Sequence, residues 1–114
     1  MSILSEVNGL LSELRIPVET GVFSGVPPDE YCVLTPMADS LTLFCDNLPV
    51  VDVSEARISL FSKDNYIRRK TQITAALLAA GFTITERRYV GHEDDTGYYH
   101  YAIDVAKHYE MEVL

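Results

Sequence analysis

At 114 residues, with 47% hydrophobic and 23% charged side chains, the chain has the composition of one globular domain, long enough to bury about two-thirds of its unfolded surface without disulfides or metals. Its formal net charge of −8 disfavours coating of nucleic acid, which draws on a basic surface to release counterions from phosphate, and favours solubility. No apolar run approaches the roughly 18 residues of a membrane span, and Met1-Ser-Ile-Leu-Ser-Glu-Val7 lacks the basic region of a secretory signal, so an intracellular protein is expected.

Ile3, Leu4, Val7, Leu10, Leu11 and Leu14 recur at helical spacing behind Ser2, a residue able to cap the first free amides; this predicts an amphipathic helix that ends near Arg15, ahead of Pro17. A short strand is possible between Ile16 and Phe23, and Ser24-Gly-Val-Pro-Pro-Asp-Glu30 reads as a loop. Tyr31-Cys-Val-Leu-Thr35 is a β-rich run that Pro36 is expected to stop, and Ser40 to Cys45 is a second run ending in the turn Asp46-Asn47-Leu48-Pro49. Val50 to Ser62 reads as a long strand interrupted near Ser54-Glu55, with Ile58 and Leu60 on one face and Arg57, Ser59 and Phe61 on the other.

A second helix is expected to start from a cap between Ser62 and Asp64, to bury Ile67, Ile73, Leu77 and Leu78, and to close at Gly81 in a left-handed conformation. Phe82 to Val90 and Tyr98 to Lys107 then form a hairpin around the acidic turn Gly91-His-Glu-Asp-Asp-Thr-Gly97, with Tyr99, Tyr101, Ile103 and Val105 on one side. The order predicts a single α+β domain: a mixed or antiparallel sheet of about four to six strands with two α-helices packed on one face.

No residues stand in a recognisable catalytic pattern. The chain has no Gly-x-Ser-x-Gly, no phosphate-cradling glycine motif and no Cys-x-x-Cys; Cys32 and Cys45 sit in alternating apolar surroundings and read as small buried thiols. His92-Glu-Asp-Asp95 with His100 is the only grouping worth weighing for a metal, and it matches neither a zinc nor a calcium pattern; the acidic turn is expected to keep a hairpin tip in water, with His100 facing away from Tyr99 and Tyr101. Tyr98, Tyr99 and Tyr101 are suited to stacking on bases, but the acidic loop beside them would repel phosphate, so packing is the expected role. No catalytic residue, cofactor or metal is assigned.

Four landmarks occur in a fixed order across residues 30 to 105: the Asp46-Asn47-Leu48-Pro49 turn, the Ser59-Leu-Phe-Ser-Lys-Asp64 strand-to-helix junction, the Leu78-Ala-Ala-Gly81-Phe82 helix end, and the Tyr89…Glu93-Asp94…Tyr99-His100 hairpin. In this order and spacing the chain resembles the small tail terminator, or tail completion, proteins of tailed bacteriophages. The resemblance implies a structural phage or prophage protein without chemistry or cofactor. It also implies a ring, commonly a hexamer, on the head-proximal end of the tail tube, with the tail tube protein and the head-tail connector protein as partners. Assembly would occur in the host bacterial cytoplasm and the product would reside in the virion tail.

Charge segregation points the same way. Arg68, Arg69 and Lys70 open the second helix and Arg87 and Arg88 lie in the following strand, whereas Glu93, Asp94 and Asp95 occupy the hairpin loop. Patches of opposite sign orient the head-to-tail contacts that a ring requires, so these eight residues are the candidate interface, although ordinary solvated charge explains the same pattern. The alternative is a soluble α+β binding module for an unknown small ligand or protein.

Overall fold

The computed structural model describes residues 2–21, 25–43 and 50–110, which form an α+β domain. The elements are α1 (Ile3–Glu13), β1 (Val18–Thr20), β2 (Glu30–Leu43), β3 (Val50–Ser62), α2 (Tyr66–Ala79), β4 (Thr83–His92) and β5 (Tyr99–Glu110). The strands make one mixed sheet in the order β1-β2-β3-β5-β4, in which β1 runs parallel to β2 and every other neighbour is antiparallel.

The Ser2 side chain caps α1 by accepting from the Ser5 amide, and Ile3, Val7 and Leu11 form its buried stripe. The helix closes at Leu14, and Arg15 turns the chain in a left-handed conformation at φ 60°. Ile16 follows as a buried anchor, and the short β1 pairs Val18 to Thr20 with Cys32 to Leu34.

Pro36 does not stop the next strand: β2 continues through it to Leu43. The reason lies in which way the backbone points. The Cys32 amide donates to the Pro17 carbonyl and the Leu34 carbonyl accepts from the Gly21 amide, so alternate residues of β2 turn their polar groups towards the β1 side. Pro36 shares that parity beyond the end of β1, and its missing N–H costs no ladder bond on that edge. The expected interruption near Ser54-Glu55 is also absent from β3, which pairs with β5 without a break from Val51 to Ser62. The irregularity sits instead in β2, whose register against β3 shifts between Pro36 and Asp39, opposite Glu55. Phe44, Cys45 and the Asp46-Asn47-Leu48-Pro49 turn lie outside the described residues.

The cap of α2 is Asn65, whose side chain accepts from the Arg68 amide; Ser62 serves the preceding turn by accepting from the Asp64 amide. Of the four residues expected in its core face, Ile73 and Leu77 are buried, whereas Ile67 and Leu78 are 56% and 58% exposed. The inward stripe runs Tyr66, Lys70, Ile73, Leu77 and Ala80, and Ile67 and Leu78 stand one residue, about 100° of helix, to its side. Gly81 closes the helix at φ +87°.

Both helices cover one face of the sheet. The core is built in cross-strand rows, Cys32–Leu60–Tyr101 and Leu34–Ile58–Ile103, followed by Ala56 and Val105, all against Val7 and Leu11 of α1 and Ile73 and Leu77 of α2. Lys107 fastens the layers: its ammonium pairs with the Glu6 carboxylate, donates to the Ala80 carbonyl at 2.9 Å and lies 4.6 Å from the Phe82 ring. Tyr109 donates to the other oxygen of Glu6 at 3.0 Å. The long strands give the molecule extents of 55 × 25 × 23 Å.

Candidate interaction surfaces

Among the described residues, no helix lies over the second face of the sheet. That face carries the residues of opposite parity to the core, in three rows set by the strand register. The first row is aromatic. Tyr31 stacks on Phe61 with centroids 4.9 Å apart, Phe61 stacks on His100 at 4.2 Å, and Tyr98 meets Tyr31 edge-on at 5.4 Å. The Tyr98 hydroxyl donates to the Pro28 carbonyl at 2.6 Å and so anchors the proline loop at this end.

Burial among these rings holds the His100 imidazole below its ordinary value, with Arg57 and Arg88 adding to the effect against the opposing pull of Glu93. Its Nε2 is buried without a hydrogen-bond partner among the described residues.

The third row is polar. Arg57 forks onto Asp104, Nε to Oδ1 at 2.8 Å and Nη2 to Oδ2 at 3.0 Å, and the hydrogen bond to Asp104 raises the guanidinium further above its ordinary value. Between the aromatic and charged rows run the small residues Ser59 and Ala102, paired across β3 and β5. They are buried without a covering helix because the larger rows wall them in. Beside Tyr31 and Phe61, a hollow of about 390 Å³ opens between Gly21, Pro27 and the strand floor of Val33, Thr35 and Ser59. This face offers flat π-surface, a small-residue trough and a fixed ion pair, which is chemistry for packing against another surface.

The eight charged residues singled out in the sequence fall in different settings. Arg68 is exposed on the first turn of α2. Arg69 is tied inward: it pairs with Glu30 at 2.8 Å and donates to the Leu14 carbonyl at 3.2 Å and to Gln72 at 3.0 Å, joining α2 to the end of α1 and the start of β2. Lys70 lies 4.7 Å from the Tyr101 ring. Arg87 and Arg88 point to opposite faces of β4: Arg87 reaches Thr74 of α2 at 3.3 Å, and Arg88 is 4.0 Å from Glu86 on the uncovered face.

Glu93, Asp94 and Asp95 form the exposed tip of the hairpin, where Gly97 at φ +82° donates to the Glu93 carbonyl at 2.7 Å and His92 meets Asp94 at 3.1 Å. The start of α2 and this tip share one end of the molecule, since Tyr66 stacks on Tyr99 at 5.2 Å.

His92 and His100 lie on opposite faces of the hairpin, His92 against Tyr99 and His100 against Phe61. Among the described residues, no three His, Cys, Asp or Glu side chains converge to hold a metal ion. No described helix is long and apolar enough to cross a membrane.

The Arg57–Asp104 fork was missed from sequence. Its signal is a lone aspartate inside the apolar run Ile103-Asp104-Val105, but the partner becomes identifiable only once β5 is placed beside β3.

No protein-family model matches the chain. A search of curated proteins also finds no match. Among solved structures, one chain of the virion of a native gene transfer agent particle is similar, with a TM-score of 0.48 and 11% sequence identity, over 90% of this chain and 84% of that one.

Proposed function

We propose that this chain is a structural protein of a bacteriophage or prophage that caps or completes the tail tube as a ring and forms part of the surface met by the head connector. The reading is carried by the ordered landmarks and by where they sit. Ser59 to Asp64 is the joint between β3 and α2, Leu78 to Phe82 the joint between α2 and β4, and Tyr89 to His100 the closed end of the β4–β5 hairpin. Together they set the path by which α2 carries the chain from β3 past the place of β5 to the far edge of the sheet. A role in assembly also suits a sheet whose second face bears stacked aromatics and, among the described residues, has no helix over it.

The test is to mix the purified chain with tail tube protein from the same genome and image the tubes by electron microscopy. Tubes of regulated length with a ring at one end support the reading. Tubes that grow without limit and carry no added density at either end refute it.

A second reading, a binding module for a small ligand or protein, draws on the hollow beside Tyr31 and Phe61. Saturable binding of a small molecule that quenches tyrosine fluorescence and is abolished by Phe61→Ala would favour it.

A further inference from the structure

We propose that the two sheet edges are the joints of the ring, with the outer edge of β4 in one copy pairing antiparallel with the outer edge of β2, residues 35–43, in the next. This deepens the ring reading and rests on it. Among the described residues β1 covers β2 only at Cys32 to Leu34, and no strand pairs with the outer side of β4, so both edges present unpaired amides and carbonyls.

Strand direction makes the two edges fit. From β2 through β3 and β5 to β4 every neighbour is antiparallel, so β4 runs opposite to β2. A second copy continuing the sheet with its helices on the same side therefore sets its β2 antiparallel to β4, the geometry of each β2, β3, β5 and β4 pairing already in the fold. The contact joins two different edges, and a head-to-tail contact of this kind closes into a ring when the rotation from copy to copy adds up to a full turn.

The side chains agree. Of the large apolar residues exposed among the described residues, Met37 and Leu41 lie on β2 and Tyr89 and Val90 on β4, while Ile67 and Leu78 lie on the α2 stripe whose Thr74 receives Arg87 of β4. Natural sheet edges are normally guarded by charge, and here exposed apolar side chains stand among the charges Asp39 on β2 and Glu86, Arg87 and Arg88 on β4.

An antiparallel alignment that centres the two segments sets Asp39, the single charge of the free part of β2, beside Arg87 and Arg88, and Met37 beside Tyr89 and Val90. It brings Ile67, next to the Tyr66 that touches Tyr89, level with a hollow of about 330 Å³ lined by Ile3, Leu4, Pro36 and Asp39 of the neighbour. Within one sheet Thr83 is level with Ala106 and Glu55, so the alignment staggers adjacent copies by about six residues, or about 20 Å. Strand tilt takes up such a stagger in closed barrels.

The test uses two charge-reversed chains, Asp39→Arg and Arg87→Asp/Arg88→Asp, followed by sedimentation velocity at low salt, with circular dichroism to show that each is folded. Wild type should form rings, each variant alone should lose them, and an equal mixture should regain them, because every joint in an alternating ring is again of opposite charge. Hydrogen exchange should show new protection confined to residues 35–43 and 83–92 in the assembled form. Two results overturn the proposal and leave the ring reading standing: rings that form as readily from either variant alone, or rings whose new protection lies on the uncovered face. Wild type that stays monomeric at every concentration, or variants that stay monomeric when mixed, also overturn edge pairing. The imaging of capped tubes then decides the ring reading separately.

Discussion

The Arg57–Asp104 fork makes an asymmetric prediction. The Asp104 side chain is 10% exposed and that of Arg57 33%, so the two charges have unequal recourse to water when the partner is removed. Arg57→Met keeps the aliphatic stem but leaves a carboxylate almost wholly out of solvent, with Glu86 on the neighbouring strand. Breaking a fully buried pair costs about 3–5 kcal/mol, and partial access through the arginine side lowers this to about 2–3 kcal/mol. Asp104→Asn keeps the shape and one acceptor, and the guanidinium can turn its exposed third to water, for about 1 kcal/mol. In a chain of this length about 4 °C of melting temperature corresponds to 1 kcal/mol, so drops of about 8–12 °C and about 4 °C are expected by thermal denaturation followed by circular dichroism. The double variant should melt above Arg57→Met alone, since it no longer buries an unpaired charge. An Asp104→Asn loss as large as that of Arg57→Met, or a double variant less stable than either single one, would refute the reasoning.

Three further outcomes are expected. The folded state holds the His100 proton less tightly than the unfolded chain does, so its contribution to stability is complete above the ordinary value of 6.5 and is lost as pH falls below it; melting curves across that range should flatten on that side in His100→Phe. Burial pushes the Cys32 thiol up to about 12, and peptide mapping after iodoacetamide treatment at pH about 8 should find it unmodified in the native chain and labelled in urea. Arg68→Glu should change stability by less than about 0.5 kcal/mol. Arg69→Glu should cost about 1–2 kcal/mol through its lost bonds and the new repulsion from Glu30, so thermal melts should separate the two, and Arg68→Glu is the cleaner probe of assembly.

The elements that follow a single strong period were legible in the sequence. Ile3, Val7 and Leu11 mark one buried stripe, and Tyr99 to Val105 alternate so cleanly that both the core side of β5 and the opposite placement of His100 could be read directly. What failed depended on neighbours. Pro36 reads as a strand terminator until β1 is seen to end at the residue paired with Leu34, which leaves the proline nitrogen on an edge with no bond to lose. Ile67 and Leu78 have the hydrophobicity of core residues, but Tyr66 and Lys70 take the inward stripe by packing on Tyr99 and Tyr101, and the two aliphatics are left outside. Among the candidate interface residues, sign was legible and setting was not. Nothing local distinguishes Arg68, which projects, from Arg69, which holds Glu30 and the end of α1.

The position of β5 also governs the order of events during synthesis. It follows β3, α2 and β4 in the chain yet stands between β3 and β4, so β4 has no strand to lie against until β5 has emerged from the ribosome. The clamp of Lys107 on Glu6 spans 101 residues, so α1, which Arg69 can already hold at Leu14, gains this second tie only at that stage as well. Contacts of such separation slow folding, because a long loop must close before the interactions that reward it can form. The nascent protein therefore passes through an interval in which its apolar helix faces and the edges of β3 and β4 are uncovered together, and it is in that interval, rather than in the finished fold, that a need for chaperone protection should be greatest.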